Sequence, residues 1–226
     1  MKQADFETTA AAGRPAMRRV PLQARGQATV ATILDAAAGL LEDVGHDSVT
    51  TNSIAGASGI NIATLYQYFS NKQAILLALY DRQNTARRIA IEGVMANFGS
   101  GRPWAAITGE ALDAIVALRR RQRGSVAVRR AICSSPELRD HDRESALQTA
   151  AMMAPLLCRV APGLDIESAR RIARTAVELS SALTDAWLLE GGTDERMLEE
   201  AKIAVIAYLG TYLDAPVSRV AARAAV

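Results

Sequence analysis

The sequence predicts an all-α fold of about nine helices, divided between a small N-terminal unit and a larger C-terminal one. Apolar residues recur at helical spacing along most of the chain, while Val, Ile and Thr rarely alternate with polar residues, so no segment has the pattern of a β-strand. Only 4% of the residues are aromatic, and short breakers with glycine or proline separate the helical segments. A chain of 226 residues is long enough for both units.

Start and stop signals predict the first two helices. A helix is expected to begin near Gln27 and to end at Gly45. Thr50 and Thr51 can each cap a short second helix, because a threonine hydroxyl accepts from the unpaired N–H groups of a first turn. Gly59 is expected to end that helix, since glycine tolerates the left-handed geometry common at helix C-termini.

A third helix of only two turns is predicted between Asn61, its expected cap, and Phe69. Leu65 and Phe69 lie four residues apart on one face, and a helix this short is not stable alone. It must therefore dock through these side chains and leave its other face free. Two short helices joined by a tight turn, with one free face, predict a helix-turn-helix that reads DNA.

The segment 70–73, Ser-Asn-Lys-Gln, matches a Ser-x-x-Gln capping box and predicts a long fourth helix that runs to about Asn97. Lys72 falls in its first turn, where a cation opposes the helix dipole. This position indicates an external anion, for which a DNA phosphate is the natural candidate. Apolar residues along the whole helix predict that it belongs to both units.

Beyond Pro103 five further helices are predicted, at 104–121, 125–134, 136 to about 159, 166–190 and 194–213. Pro155 interrupts the third of them, so that helix is expected to kink or end there.

Residues 25–79 resemble the DNA-binding domain of the TetR family of bacterial transcriptional regulators. The stretch TVATILDAAAGLL, the helix ATLYQYF and the following NK carry the resemblance, and the last two are specific in combination. With the helix pattern, the resemblance implies four parts: a disordered basic arm (1–24), a helix-turn-helix domain (25–80), a helical effector-binding and dimerisation domain (81–213) and a flexible tail (214–226).

The helix-turn-helix assigns the expected DNA contacts. The side chains expected to face the major groove are Ala63, Thr64, Gln67 and Tyr68. Those expected to hold the DNA backbone are Thr50, Tyr66, Lys72 and an arm around Arg25, and the other candidates are Thr51, Asn52 and Asn61.

Two basic runs stand out in a chain whose formal net charge is only +2. Arg14, Arg18, Arg19 and Arg25 lie in a stretch without acids, which is either a solvated tail or an arm that contacts phosphates or the minor groove. A second run, 119–130, is rich in arginine. A solvated face is the usual interpretation of such a run, and an anionic effector or a second DNA contact is the alternative.

The last two predicted helices carry broad apolar faces, which taken alone are more often core than interface. A two-turn reading helix covers few base pairs, however, so symmetric dimers usually read two half-sites. The resemblance implies that these helices pair with their mates in a four-helix bundle, and an obligate homodimer on a partly palindromic operator is expected. The expected interface residues are Ala176, Leu179, Leu183, Trp187, Ala201, Val205, Tyr208 and Tyr212.

Release of such a protein from DNA by a ligand needs a cavity whose filling favours a conformation that does not fit DNA. The expected lining residues are Phe98, Leu112, Ile115, Met152, Met153, Leu156, Ser180, Leu183 and Thr184, with Trp104 and Trp187 nearby. Because only two of the lining residues carry hydroxyls, an aromatic or acyl compound is favoured over a sugar or nucleotide.

Other classes of function lack support. We find no nucleophile with a base and no phosphate-binding glycine loop, so no enzyme and no cofactor are expected. His46 and His141 have no ligand-spaced partners, so no metal site is expected, and Cys133 and Cys158 are interpreted as buried thiols of a reducing compartment. No apolar run is long enough to span a membrane, which predicts no membrane contact and a cytoplasmic location.

The sequence thus predicts a DNA-binding transcriptional regulator, most simply a homodimeric repressor that a small apolar ligand releases from its operator. Control by a protein partner, or by no ligand, stays open within this class. An all-helical enzyme or adaptor is the alternative from another class.

Overall fold

The computed structural model describes Met17, Arg18, 23–134 and 136–214, and these residues form nine helices and no strand. The helices are α1 (Ala24–Ser48), α2 (Thr51–Ser58), α3 (Ile62–Tyr68), α4 (Lys72–Met95), α5 (Trp104–Arg121), α6 (Ser125–Ser134), α7 (Pro136–Val160), α8 (Ile166–Leu189) and α9 (Glu195–Leu213). The predicted all-α fold is confirmed. Most of the predicted arm, 1–24, and of the predicted tail, 214–226, lies outside the described residues.

Most helix ends fall within a few residues of their predicted positions. Gly45, with a φ of 74°, interrupts the helical geometry near the end of α1. At the start of α4, however, the cap is Asn71, whose Oδ1 accepts from the Ala74 N–H at 2.8 Å. The cap therefore lies one residue after Ser70, the predicted cap. Asparagine caps a helix at least as well as serine, and both residues belong to the Ser-Asn-Lys-Gln segment from which the cap was predicted.

Pro155 does not end α7, which continues to Val160. The proline ring lies on the exposed side of the helix, whereas Ala154 and Leu157 on either side of it are fully buried. Packing of these neighbours, chiefly against α8 and the rest of the larger core, holds the helix together where an isolated segment would break.

Two hydrophobic cores organise the chain. The larger one is built by the second half of α4 with α5, α7, α8 and α9, and the smaller one by α1 to α3 with the first half of α4. Ile75 and Leu79 of α4 lie in the smaller core, while Ile91 and Met95 lie in the larger one. This single helix therefore runs through both cores, as its apolar pattern predicts.

The smaller core also contains α6, which the sequence assigned to the C-terminal unit. Val128, Ala131 and Ile132 of α6 are buried there, largely against α1. The turn before α6 makes the contact close, because Gly124 has a φ of 69° and a Cβ at this position would lie 2.7 Å from the Ala38 carbonyl oxygen. A second element besides α4 thus joins the N-terminal helices to the rest of the chain.

Candidate nucleic-acid interface and central cavity

Local capping shapes the helix-turn-helix. The Thr50 hydroxyl accepts from the Ser53 N–H at 3.0 Å, and the Ser53 hydroxyl accepts from the Thr50 N–H at 2.9 Å, so α2 begins with a reciprocal capping box. Gly59, with a φ of 67°, ends α2 in the left-handed conformation. The Asn61 side chain then caps α3 by accepting from the Ala63 N–H at 2.8 Å. These three predicted roles are confirmed.

The recognition helix α3 is docked on one side and free on the other. Leu65 and Phe69 are 0% exposed in the smaller core, although Phe69 lies just beyond the end of α3. The exposed candidates for DNA contact are Arg25, Thr50, Asn52, Asn61, Ala63, Tyr66 and Gln67, and those partly buried are Thr51, Thr64, Tyr68 and Lys72. An exposed polar face on a firmly docked helix can enter a groove of DNA without rearrangement.

Tyr66 is held in place from two sides. Its hydroxyl lies 3.0 Å from the Thr51 Oγ1, which ties α3 to the start of α2. Its carbonyl lies 3.5 Å from Nη1 of Arg18, and the Arg18 N–H donates to the Tyr68 carbonyl at 2.8 Å. The segment at Arg18 therefore lies against the end of the recognition helix. The sequence shows that the N-terminal stretch around Arg18 is basic and contains no acids, but nothing in it predicts this backbone contact.

Lys72 is the first residue of α4, and its Nζ donates to the His46 carbonyl at 3.0 Å. That carbonyl belongs to the end of α1, so the lysine joins two helices of the smaller core. An ammonium group carries three protons, and two of them remain for another acceptor.

The arginine-rich run 119–130 is not simply a solvated face. Arg119 is only 8% exposed and pairs with Asp185 of α8. Arg129 lies 2.9 Å from Asp142 of α7 and 2.7 Å from Asp185. The Tyr80 hydroxyl donates to Asp142 as well. Five helices, α4 to α8, therefore meet in one partly buried cluster of charges, which corrects the usual interpretation of this run.

Other arginines of the same run do lie at the surface. Arg120 pairs with Glu195 and lies 5.0 Å over the ring of Trp187, and Arg123 pairs with Glu42 of α1 at 2.9 Å. The interpretation of a solvated face fits these two side chains.

A cavity of about 60 Å³, counted as the space open to the centre of a water-sized sphere, lies inside the larger core. Five of the nine predicted lining residues meet there: Leu112, Ile115, Met153, Ser180 and Thr184. The other four, Phe98, Met152, Leu156 and Leu183, do not line it. Phe98, for example, is only 2% exposed and packs in the core itself.

The two tryptophans expected nearby do not line the cavity. Trp104 packs at the edge of the larger core, in which the cavity lies, and Trp187 packs in a small separate cluster. Two arginines, Arg87 and Arg119, do line it. Arg119 belonged to a run for which an anionic effector was an alternative, whereas Arg87 lies among polar residues of α4 and carried no distinguishing signal.

The residues predicted for a dimer interface divide into two groups. Ala176, Trp187, Ala201 and Val205 are buried within the single chain, so they pack its own core and have little surface left for a partner. Leu179, Leu183, Tyr208 and Tyr212 are partly exposed. The outer sides of α8 and α9 also present Ala182, Ile203 and Ala207, which are exposed. Ile203 is an exposed large hydrophobic residue at 57%.

Other chemistry-bearing side chains are placed as follows. Cys133 is exposed and Cys158 partly exposed, which corrects the expectation of two buried thiols. His141 Nε2 contacts Asp81, and His46 Nδ1 lies 3.1 Å from Asp47. Among the described residues, no His, Cys, Asp and Glu side chains group as a metal site would require. None of the described helices has the length and apolarity that a membrane crossing requires.

Two family models match the chain. The model described as "Bacterial regulatory proteins, tetR family" matches residues 33–79, which include the helix-turn-helix. The model described as "Tetracyclin repressor-like, C-terminal domain" matches residues 103–209, which include most of the cavity. None of the curated proteins matches the chain.

Solved structures share this architecture over most of the chain. A TetR-family transcriptional regulator from Streptomyces coelicolor is 26% identical, with a TM-score of 0.62 over 80% of this chain and 98% of that one. A TetR transcription regulator from Haloarcula marismortui is 18% identical, with a TM-score of 0.64 over 81% and 97%. A TetR-like transcriptional regulator from Rhodococcus sp. RHA1 is 20% identical, with a TM-score of 0.57 over 88% and 100%.

Proposed function

Because the chain belongs to the TetR family of bacterial regulatory proteins, we propose that it is a homodimeric repressor that binds a partly palindromic operator and is released by a small, mostly apolar ligand. Regulators of this family bind DNA operators, act as dimers and are generally not enzymes. The observation that carries the proposal is the recognition helix, which is docked through two fully buried side chains and keeps a polar face free.

DNA reading rests on the free face of α3. Ala63, Thr64, Gln67 and Tyr68 read base edges in the major groove, with Gln67 as the exposed amide that can bond to a base. The other contacts go to the DNA backbone. They come from Thr50, Thr51, Asn52, Asn61, Tyr66, Lys72 and the basic residues at Arg18 and Arg25.

Dimerisation rests on the outer sides of α8 and α9. Leu179, Leu183 and Tyr208 are partly exposed there, next to the exposed Ala182 and Ile203. Small and apolar side chains of this kind let two helix pairs approach closely and bury apolar surface. Two copies of α3 in one dimer would read two half-sites about one helical turn, or a multiple of it, apart.

Release by a ligand rests on the cavity and on α4. Ile91 and Met95 of α4 line the cavity, and the same helix begins with Lys72 beside the recognition helix. A ligand that fits the cavity better when α4 is tilted would shift the dimer towards a spacing that does not match the operator.

The test is a gel shift or fluorescence-anisotropy titration with DNA from upstream of the protein's own coding sequence. We expect binding to one partly palindromic segment that competes well against random DNA. Gln67→Ala should change the sequence preference, while Gln148→Ala, an exposed glutamine on α7, should not. Equal binding to every sequence, or no binding to any, would overturn the proposed function.

A further inference from the structure

Arg87 of α4 lies between two cavities. Its side chain lines both the central cavity described above and a smaller one, of about 40 Å³ by the same measure, that Tyr80, Asn84 and Arg129 also line. No described side chain forms a hydrogen bond or an ion pair with its guanidinium, which is partly buried. A partly buried cation without a protein partner keeps its N–H donors free for a bound anion.

The charges around Arg87 do not balance. Arg119 pairs with Asp185, and Arg129 lies 2.9 Å from Asp142 and 2.7 Å from Asp185. Both carboxylates are thus engaged by the other two arginines. Three guanidinium groups share two carboxylates, so the cluster lacks one negative charge, and Arg87 is the cation that lacks a partner.

The field at Arg87 is unfavourable for its charge. Burial, followed by the neighbouring charge of Arg119, lowers the pKa of the Arg87 guanidinium below its ordinary value, although Asp142 and Asp185 act in the opposite direction. An additional anion at this place would therefore be attracted more strongly than at an ordinary surface arginine, since a less polar surrounding screens charges less.

A second unpaired donor lies one helical turn away. Asn84 is 8% exposed, faces the smaller cavity, and its Nδ2 completes no hydrogen bond, although its side chain lies beside the Tyr80 hydroxyl. Residues three apart on a helix share one side of it, so Asn84 and Arg87 present donors in the same direction. Two donors without an acceptor are the arrangement that an anionic oxygen would complete.

Most of the remaining wall of the central cavity is apolar, with Ile91, Leu112, Ile115, Met153 and Leu209 among its lining residues. Five hydroxyl side chains also line it, but four of them already donate to a carbonyl of their own helix: Thr108, Thr149, Ser180 and Thr184, with Ser181 as the fifth. A ligand that fills this space needs a hydrocarbon or aromatic body, with its polar group confined to the end near Arg87.

We propose that the effector is a monocarboxylate with an apolar body, whose carboxylate accepts hydrogen bonds from Arg87 at the junction of the two cavities. This inference rests on the proposed function, since it names the chemical class of the ligand that releases the protein from DNA. One missing charge fits a carboxylate, and a planar guanidinium binds a carboxylate through two parallel hydrogen bonds. A phosphate monoester would carry more negative charge than the cluster lacks.

The test uses the full-length protein and matched pairs of probes: hexanoate, octanoate and phenylacetate, each beside its uncharged amide. Binding is measured by thermal shift and by calorimetry at pH 7. At least one acid should bind roughly tenfold or more tightly than its amide, because a hydrogen bond to a charged group is worth about that much. Arg87→Gln should remove the preference for the acid, and Arg87→Lys should keep part of it.

The matched control is Arg88→Gln, the neighbouring arginine, whose Nη1 lies 3.5 Å from Gln148 and which does not line the cavity. This variant should keep the full preference for the acid. Equal binding of acid and amide to the unmodified protein, no binding of any acid, or an unchanged preference in Arg87→Gln would each overturn the inference. The first two outcomes need no variant, so they decide the matter even if Arg87→Gln does not fold.

A parallel anisotropy titration on the operator separates this inference from the proposed function. The best acid should lower operator affinity over the concentration range in which it binds. Acid binding through Arg87 in a protein that binds no DNA would overturn the proposed function and leave the carboxylate site standing. Operator binding in a protein that binds no acid would overturn the carboxylate site and leave the proposed function standing.

Discussion

Lys72, a proposed DNA contact, also contributes to the fold. Its Nζ donates to the His46 carbonyl at 3.0 Å, which fixes the side chain near the recognition helix and leaves two protons free for a phosphate. A side chain that is ordered beforehand loses less conformational entropy on binding than a free surface lysine would. The proposed contact is with the DNA backbone, so it would carry no information about base sequence.

We therefore expect Lys72→Ala to weaken binding to operator and random DNA by the same factor. The slope of log affinity against log salt should fall by about one, because one phosphate contact releases about one counterion. Anisotropy titrations at four or more salt concentrations measure this slope. The control is Arg102→Ala, which removes an exposed cation paired with Glu110 at the start of α5. An unchanged slope with full affinity in Lys72→Ala would contradict the assignment.

Asp142 gives a pH-dependent prediction. Burial raises the pKa of this carboxyl, but the Tyr80 hydrogen bond and Arg129 outweigh it, so the pKa lies below its ordinary value. The ionised form therefore stabilises the fold fully above the unfolded pKa, near about 4, and this stabilisation is lost as the pH falls through the lower folded pKa.

Asp142→Asn should accordingly lower the free energy of unfolding by about 1–3 kcal/mol at pH 7, the usual value of charge-assisted hydrogen bonds. The difference from the unmodified protein should shrink as the pH falls below about 4. Urea unfolding followed by circular dichroism between pH 3 and pH 7 measures it. Asp140→Asn, an exposed neighbour on α7, should change little. If the loss of unfolding free energy in Asp142→Asn stays constant with pH, the charge of Asp142 has no role in stability.

Whether the contact of a single residue can be predicted from the sequence depends on how far along the chain its partner lies. The roles of Thr50 and Asn61 as caps could be predicted because each bonds to a residue two or three positions away. The pairing of Arg119 with Asp185 could not, since 66 residues separate them. The arginine was visible in the sequence, but the position of its carboxylate depends on how α5 and α8 pack.

Among the elements, α6 is preceded by a turn that approaches the backbone of α1 closely. A Cβ on Gly124 would lie 2.7 Å from the Ala38 carbonyl oxygen, and the φ of 69° is one that other residues rarely adopt. Gly124→Ala should therefore push α6 away from α1 and lower the free energy of unfolding by about 1–3 kcal/mol.

The matched control is Gly109→Ala within α5. No atom lies within 4 Å of the position of its Cβ, so this change should stabilise the protein by about 0.5–1 kcal/mol, the difference between glycine and alanine inside a helix. Urea unfolding of both variants decides the point. The two changes in the free energy of unfolding need not be equal in size. A Gly124→Ala protein as stable as the Gly109→Ala protein would show that the turn before α6 can move freely.

Helix ends were predictable where local signals agree, as at α5 and α6, and less so where they compete. At α7 the helix does not end at Pro155, because its neighbours Ala154 and Leu157 are buried, and this depends on packing against α8. The place of α6 in the smaller core is likewise set by tertiary contacts. Its apolar positions predict that it is buried, but not against which helix.

Across the whole molecule, α4 runs through both cores, whereas α6 packs in the smaller core and contacts α7 and α8 of the larger one. The charge cluster takes side chains from both helices. Tyr80 and Arg87 belong to α4, and Arg129 belongs to α6. A carboxylate bound at Arg87 would change the balance of charge next to both connections at once. The proposed ligand site is therefore linked to the N-terminal helices by two packed helices rather than by one.

Dimerisation provides the last prediction, since a single recognition helix covers only half of a palindromic operator. Ile203 on the outer side of α9 is 57% exposed in the single chain, so Ile203→Arg should leave the monomer folded. In a dimer that buries this face, the same arginine would place a charge in an apolar interface at a cost of several kcal/mol. Light scattering should therefore show a monomer, with the melting behaviour of a folded chain.

The matched control is Ile89→Arg, an equally exposed isoleucine, at 61%, on α4. This variant should remain a dimer with full operator affinity. Ile203→Arg should lose preference for the palindrome and bind DNA at the level of random sequence, because its two half-sites are no longer read together. A dimer that survives in Ile203→Arg would place the interface on another face. In that case the partly exposed Leu179 and Leu183 would also have to be explained by contacts within the chain.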